Sequence, residues 1–335
     1  MHIALLANPR TSDSPAQAVY TRPETLESIR TAMTGQGHRV TEVDASQPLP
    51  HWVSALEGTD PDLVFNLAEG TTGPLRQSSY TEVMTQLGLP YTGSGPRAQA
   101  IALDKHLSKL LVRDQGIATP AAVLVTPNVK ADLTRLDYPC IVKPNFEGTS
   151  RGISSGSVVR SPDGAAEAAG RALEEFPDGI LVESFVAGTD VTVPFLEGAP
   201  GGAGVLEPSL VRVLDLSGRP TDRILDYPVK HAAHTRAATI EHLVEARTPA
   251  GLPEDVRAAA RAMTALAVQA VGCRDVARVD FRLDSGGRLH FLEINALPGL
   301  DPDGSIHRAA ELGGLRPATG VVTAIVTSAS ARFAL

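Results

Sequence analysis

Three stretches of this 335-residue chain carry side chains fit for chemistry. Arg278-Val279-Asp280-Phe281-Arg282 alternates charged with apolar residues, and Glu293-Ile294-Asn295 does the same. Successive side chains of a strand point to opposite faces. Arg278, Asp280 and Arg282 then share one face, and Glu293 and Asn295 share a face of a partner strand. If the two strands pair in matching register, Asp280, Glu293 and Asn295 converge. Two carboxylates and an amide oxygen are hard ligands suited to Mg2+. A solvated hairpin with cross-strand ion pairs would carry the same residues.

The second stretch runs from Ile141 to Gly152. Lys143 ends an apolar run, and the loop after it holds Gly148, Thr149, Ser150 and Gly152. Such a loop can turn several N–H groups toward phosphate oxygens, with Lys143 as a fixed cation. It has no GxxxxGK[ST] pattern, and an ordinary glycine-rich turn reads alike. The third stretch is Leu181–Asp190. Apolar residues beside exposed strand backbone can sandwich a purine while an acid reads ribose hydroxyls, although most such stretches are plain strands.

These side chains need elements to hold them. Ile3–Ala7, Arg39–Val43 and Leu63–Leu67 read as strands, and Pro23–Gln36 and Gln77–Leu87 as helices that each end at a glycine. This βαβα order predicts a parallel sheet with helices on its faces. Ligands of such sheets lie beyond the carboxyl ends of the strands, where Asn8-Pro9-Arg10 and Ala68–Gly73 fall. The pattern changes near Ala102. One helix is expected over Leu103–Gln115, with Lys105 and Lys109 four apart. Strands are expected at Ala122–Val125, Cys140–Lys143 and Ser157–Val159, and a helix at Pro162–Glu175. Ile180–Phe185 and Asp190–Phe195 read as a strand pair around Ala187-Gly188. Strands follow near 203–207, 209–215 and 222–227, then a polar stretch, Lys230–Gly251, read as a mobile loop. Pro253–Val271 is a strong helix. Ala277–Leu283 and Leu289–Ile294 form a hairpin around Asp284–Gly287, and Ser305–Gly313 and Pro317–Arg332 read as helices.

Composition narrows the function. Hydrophobic residues make up 43% and charged residues 20%, which excludes disorder and coiled coil. A net charge of −8 without a Lys/Arg cluster argues against nucleic acid or an anionic membrane as the main partner. The two cysteines, Cys140 and Cys273, sit in no CxxC pair, so a reducing, cytoplasmic compartment is expected. No stretch approaches the ~18 apolar residues of a membrane-spanning helix. The apolar run from Ile3 is too short for a secretion signal. His231 and His234 lie in a loop and are not expected to bind metal, and Trp52 is expected to serve packing.

Lys105, the Lys143 loop, Glu183–Asp190 and the Asp280/Glu293/Asn295 set together resemble, in order and spacing, the ATP-grasp fold. More narrowly they resemble the D-alanine–D-alanine ligase family. Pro90-Tyr91-Thr92-Gly93-Ser94 ahead of Asp104-Lys105 is similar to that family's PYTGS turn before its DK helix. Asn295-Ala296-Leu297-Pro298-Gly299 through Ser305 is similar to its N-x-x-PG…S run. The resemblance covers about residues 62–315.

It implies an α/β chain of three domains: an N-terminal parallel α/β domain over 1–102, a small α+β domain over 103–196 and a C-terminal α+β domain over 197–335. ATP would lie between two antiparallel sheets. Lys105 and Lys143 would contact its phosphates, and Gly148–Gly152 (Gly148, Thr149, Ser150, Gly152) would close over them, with Ser150 near the reacting carboxylate. Glu183, Phe185 and Val186 would read adenine, Asp190 the ribose, and Ile294 would pack against the base. Lys230 would reach the γ-phosphate. Asp280, Glu293 and Asn295 would bind two Mg2+ ions, with Mn2+ as a substitute. The implied chemistry turns a carboxylate into an acyl phosphate, from which an amine displaces phosphate. Arg278 and the Gly299 N–H would stabilise the oxyanion. Small-molecule carboxylate and amine substrates are thus the expected partners, without nucleic acid or membrane. A homodimer through the N-terminal domain fits the resemblance.

Departures fall on the substrate side, where Glu69, Arg76, His231, Gly299, Ser305 and Ile306 are the candidate contacts. The family's N-terminal Gly-Gly and its ammonium-holding glutamate have no counterpart, and Asn8–Asp13 stands there. Its HGxxGEDG loop is replaced by Glu69–Gln77, with Arg76 where an acid is expected. His231 replaces a tyrosine, and Asp301–Gly304 carries one extra residue. Arginine suits a carboxylate. The expectation is therefore a ligase of bacterial specialised metabolism acting on substrates other than two D-alanines. The alternatives are D-alanine–D-alanine ligation for the cell wall, and a nucleotide-binding regulator without catalysis, against which Arg278, Lys230 and the metal set speak.

Overall fold

The computed structural model describes residues 1–129, 131–200, 203–214 and 244–335. The expected strand near 222–227, and Lys230 and His231, lie outside the described residues. β1 (His2–Ala7), α1 (Pro23–Thr34), β2 (Arg39–Asp44), α2 (Leu49–Thr59), β3 (Leu63–Leu67) and α3 (Arg76–Gln86) follow the alternation of the sequence. β1 lies in the middle of a parallel sheet of order β2-β1-β3. Ile3, Leu5 and Ala7 enter the core on one face, and Ala4 and Leu6 join Trp52 and Met84 on the other. Trp52 is buried against Tyr80, with ring centroids 5.2 Å apart.

The single helix expected over Leu103–Gln115 is in fact two, α4 (Pro96–Leu103) and α5 (Lys105–Asp114). Asp104 is the break. Its backbone is extended, and its side chain accepts a 2.9 Å hydrogen bond from Leu107 N as the cap of α5. β4 (Ala122–Val125), β5 (Cys140–Pro144), β6 (Val158–Val159), α6 (Pro162–Glu175) and β7 (Ile180–Ser184) come next. Their strands form a sheet of order β4-β7-β5-β6, and α6 covers it through Ala165 and Ala169.

The remaining strands are β8 (Gly188–Leu196), β9 (Ser209–Val213), β10 (Val244–Arg247), β11 (Val276–Asp284) and β12 (Leu289–Asn295). They form an antiparallel sheet of order β10-β9-β8-β11-β12. α7 (Glu254–Val271) packs on it together with residues of α4 and α5. α8 (Ser305–Leu312) and α9 (Gly320–Phe333) return to the first sheet, where Ile306, Val322 and Ile325 share a core with Ile3 and Leu5. No helix among the described residues is long and apolar enough to cross a membrane.

Three expectations are corrected. β7 and β8 do not pair, because they belong to different sheets and the chain crosses between them at Phe185–Ala187. A boundary at 196 therefore cuts β8 from the sheet it joins. Near 203–207 only an isolated bridge forms, Val205 with Phe195. β10 lies within the stretch read as a loop, held by antiparallel pairing to β9.

Candidate active site

A cavity of about 570 Å3 lies between the two antiparallel sheets. The β11–β12 hairpin forms one wall. Its register sets Asp280 opposite Glu293 and Arg278 opposite Asn295, as the period-two pattern predicts. Asp280 accepts hydrogen bonds from Arg278 Nε at 3.0 Å and Nη2 at 2.8 Å, from Asn295 Nδ2 at 3.2 Å and from the Thr192 hydroxyl. Burial opposes the Arg278 charge, but Asp280 and Glu293 outweigh it and raise the guanidinium pKa. Among the described residues no three His, Cys, Asp or Glu side chains cluster as a metal site. The hard donors gathered here are two carboxylates and one amide.

Beyond Asp280 the hairpin carries a bulge, and Phe281 pairs with Phe291. The extra residue is Leu292, which borders the cavity. Ile294, expected against the base, is only 1% exposed, joins the core and borders a second cavity instead. Leu292 is thus the apolar hairpin residue on the larger cavity, and a bulge leaves no mark in the sequence.

The opposite wall is built on charge. Glu183 on β7 is 2% exposed, and its carboxylate lies 3.0 Å from Lys143 Nζ and 2.5 Å from Lys109 Nζ. Burial works against the Glu183 charge, but the two ammonium groups override it and hold its pKa below the usual range. Lys109, one turn after Lys105, also donates to Thr119 Oγ1 and to Phe291 O on β12. It therefore ties both sheets together. Its spacing was visible in the sequence, but its role was not. Phe185 and Val186 line the cavity at the crossover. Asp190 lies beyond them, where burial pushes its pKa up and Arg282, 2.7 Å away, pulls it down.

The glycine-rich loop arches over the same space. Gly148, Thr149 and Ser150 line the cavity. Thr149 and Ser150 hold left-handed backbone, at φ 53° and 61°, which costs energy in residues with a Cβ and is concentrated at functional sites. Gly152, at φ 76°, lines neither cavity, and a Cβ there would strike Pro144 and Phe176. Lys105 joins the loop to the hairpin by donating to Glu147 O and lying 3.3 Å from Glu293. Asn145 ties the loop's start to α5, donating to Asp104 at 2.8 Å and accepting from His106 N at 2.9 Å.

The second cavity, about 310 Å3, shares Lys105, Gly148, Arg278, Glu293 and Ser305 with the first and reaches the first sheet. Glu69, Arg76, Asn295 and Gly299 border it. Glu69 accepts a 2.6 Å hydrogen bond from Gln77, and burial pushes its pKa up to about 7 against that bond and Arg76. The Arg76 side chain is 3% exposed. It donates to Phe146 O at 2.8 Å and lies 3.9 Å from Glu147, so its guanidinium braces the glycine-rich loop. Ile306 is core and lines neither cavity. Arg22, unnoticed in the sequence, borders the second cavity and pairs with Asp301 at 3.1 Å, and Thr25 donates to the same carboxylate at 2.5 Å.

Residues 111–327 match the family model described as D-ala D-ala ligase C-terminus. The D-alanine–D-alanine ligase of Gluconobacter oxydans is 31% identical over 94% of this chain and 95% of its own length. That of Gloeobacter violaceus is 33% identical over the same shares, 94% and 95%. The crystal structure of the Bacillus anthracis D-alanine–D-alanine ligase complexed with ATP superposes with a TM-score of 0.75 at 18% identity, covering 99% of this chain and 98% of that one. The chain belongs to the D-alanine–D-alanine ligase family and is an ATP-dependent carboxylate–amine ligase.

Proposed function

We propose that the cavity between the sheets binds ATP, and that the second cavity holds an amino-acid-like carboxylate and an amine other than a pair of D-alanines. The observation that carries the ATP site is the convergence of Lys105, Lys143, Arg278, Asp280 and Glu293, from two sheets and one helix, on one cavity. Lys105 and Lys143 place fixed cations where phosphate charge would lie. Phe185, Val186 and Leu292 give the other end an apolar lining for a base. Asp280, Glu293 and the Asn295 amide oxygen would hold Mg2+, which when bound supplies positive charge at the phosphate oxygens. Arg278 borders both cavities and Gly299 the second, and the Arg278 guanidinium and the Gly299 N–H would meet the oxygen that becomes negative when the amine adds. Removing such a donor costs ~10²–10³ in rate.

The substrate reading rests on the second cavity. Asn8–Asp13 occupies the place of the family's ammonium-holding glutamate, and nearby carboxylates already have protein partners. Glu69 is bonded to Gln77, and Asp301 to Arg22 and Thr25. An isolated α-ammonium would compete with these partners. Arg76, braced on Phe146 O, no longer supports a substrate carboxylate by itself. The second reading is D-alanine–D-alanine ligation, favoured by relatives 31% and 33% identical over nearly their whole length. Phosphate release with Mg-ATP decides between them, measured with D-alanine alone and with pairs of amino acids and acidic metabolites. Rapid release with D-alanine alone establishes the second reading. Release only with a mixed pair establishes the first, and nucleotide binding without release in any mixture defeats both.

A further inference from the structure

The nucleoside end of the cavity contains a cation with no assigned task. Arg282 lies directly opposite Asp190 in the antiparallel pairing of β11 with β8. Its side chain is 7% exposed. Nη1 donates to Asp190 Oδ1 at 2.7 Å, and Nε donates to Val186 O at 3.0 Å. The guanidinium carbon stands 5.6 Å from the centroid of the Phe185 ring. One side chain of the large sheet thus grips three points of the path that leaves the small sheet: a ring, a backbone carbonyl and a carboxylate. Its Nη2 is buried without a hydrogen-bond partner. A buried cation is costly unless paired, and an apolar residue could make none of the polar contacts.

We propose that Arg282 is the positioning residue of the nucleoside site. It holds the crossover at Phe185-Val186 in place and fixes Asp190 with one oxygen engaged and the other left to accept a hydrogen bond from a ribose hydroxyl. This rests on the ATP reading above. It requires that the hydroxyl's contribution to binding depend on residue 282, although that residue need not touch the ribose. Without the guanidinium, the Asp190 carboxylate can turn or take up a proton, and its preference for a hydroxylated sugar fades.

The test compares ATP with 2′-deoxy-ATP and 3′-deoxy-ATP in the full-length enzyme, by nucleotide titration and by phosphate release. The unaltered enzyme should prefer ATP over at least one analogue by ~10-fold, the worth of one charge-assisted hydrogen bond. In Arg282→Met that ratio should fall below about threefold, with the loss on KM for ATP larger than that on kcat. Arg282→Lys keeps a charge but not the fork, and should fall between. Asp190→Asn approaches the pair from its more exposed side and should abolish the same preference if Arg282→Met does not fold. A general structural role would weaken all three nucleotides equally and leave the ratio unchanged, which would overturn the inference. So would an unaltered enzyme indifferent to both hydroxyls. Failure of the unaltered enzyme to bind any of the three would instead remove the ATP reading itself.

Discussion

Lys109→Met isolates the contribution of a buried charge. Lys109 is 1% exposed, and its ammonium lies 2.5 Å from Glu183, 2.9 Å from Thr119 Oγ1 and 3.1 Å from Phe291 O. Burial pushes its pKa down to about 8 against the pull of Glu183, so it is charged at pH 7. Removing one partner of a buried ion pair costs about 3–5 kcal/mol, because the other charge is stranded. Glu183 keeps Lys143 at 3.0 Å, which places the expected loss at the lower end, about 3 kcal/mol. Glu183 would then hold Lys143 more tightly, and Lys143 would be less available to phosphate. Affinity for ATP should drop by roughly tenfold, equivalent to ~1.4 kcal/mol. Urea denaturation followed by circular dichroism reads the first effect, and calorimetric titration with ATP reads the second. The double variant Lys109→Met/Glu183→Gln removes both charges and should be less destabilised than the sum of the single changes. A single-variant loss under about 1 kcal/mol, or strict additivity in the double variant, would refute the stranded-charge account.

Asp280→Asn, nearly the same in shape, should keep the fold and lower turnover by more than ~10²-fold; a variant with unchanged circular dichroism and near-normal phosphate release would remove Asp280 from the chemistry. Glu69, raised from 4.5 to about 7, binds more protons folded than unfolded, so its stabilisation is full below pH 4.5 and is lost as pH rises through 7. Melting of the unaltered protein should therefore weaken relative to Glu69→Gln between pH 4.5 and 7, by up to about 3 kcal/mol, and a difference independent of pH would contradict the assignment. Arg76→Ala releases Phe146 O and Glu147, so KM should rise for ATP as well as for the amino substrate, by roughly the tenfold or more of a charged hydrogen bond. A rise confined to the amino substrate would return Arg76 to substrate reading.

What could be read in advance followed from local rules. The parallel sheet was legible because apolar runs alternate with helices that end at glycines. The hairpin was legible because a period of two and the short Asp284–Gly287 turn leave little choice of register. Long-range choices were not. Ile180–Phe185 followed by Asp190–Phe195 has the local look of two paired strands, yet each finds better partners far along the chain. The bulge that exchanges Ile294 for Leu292 is a fault of pairing, not of composition. Arg76 was aimed at a substrate because its partner, Phe146 O, lies 70 residues away.

The return of α8 and α9 to the first sheet orders events during synthesis. Ile3, Leu5, Leu63 and Phe65 are made well before Ile306, Val322, Ile325 and Ala329, which complete one side of their core. Asp275 adds a clasp between early and late segments: Gly93 N donates to it at 2.7 Å, Arg332 lies 3.1 Å away, and Arg332 also donates to Tyr91 O at 2.7 Å. The first sheet therefore waits, with an unfinished apolar side, until residues 306–329 emerge. Domains commonly fold in the order they are made, and exposed apolar surface in the interval is a route to aggregation. Here α9 closes the core of the first sheet, so that core is complete only once residues 320–333 have been made.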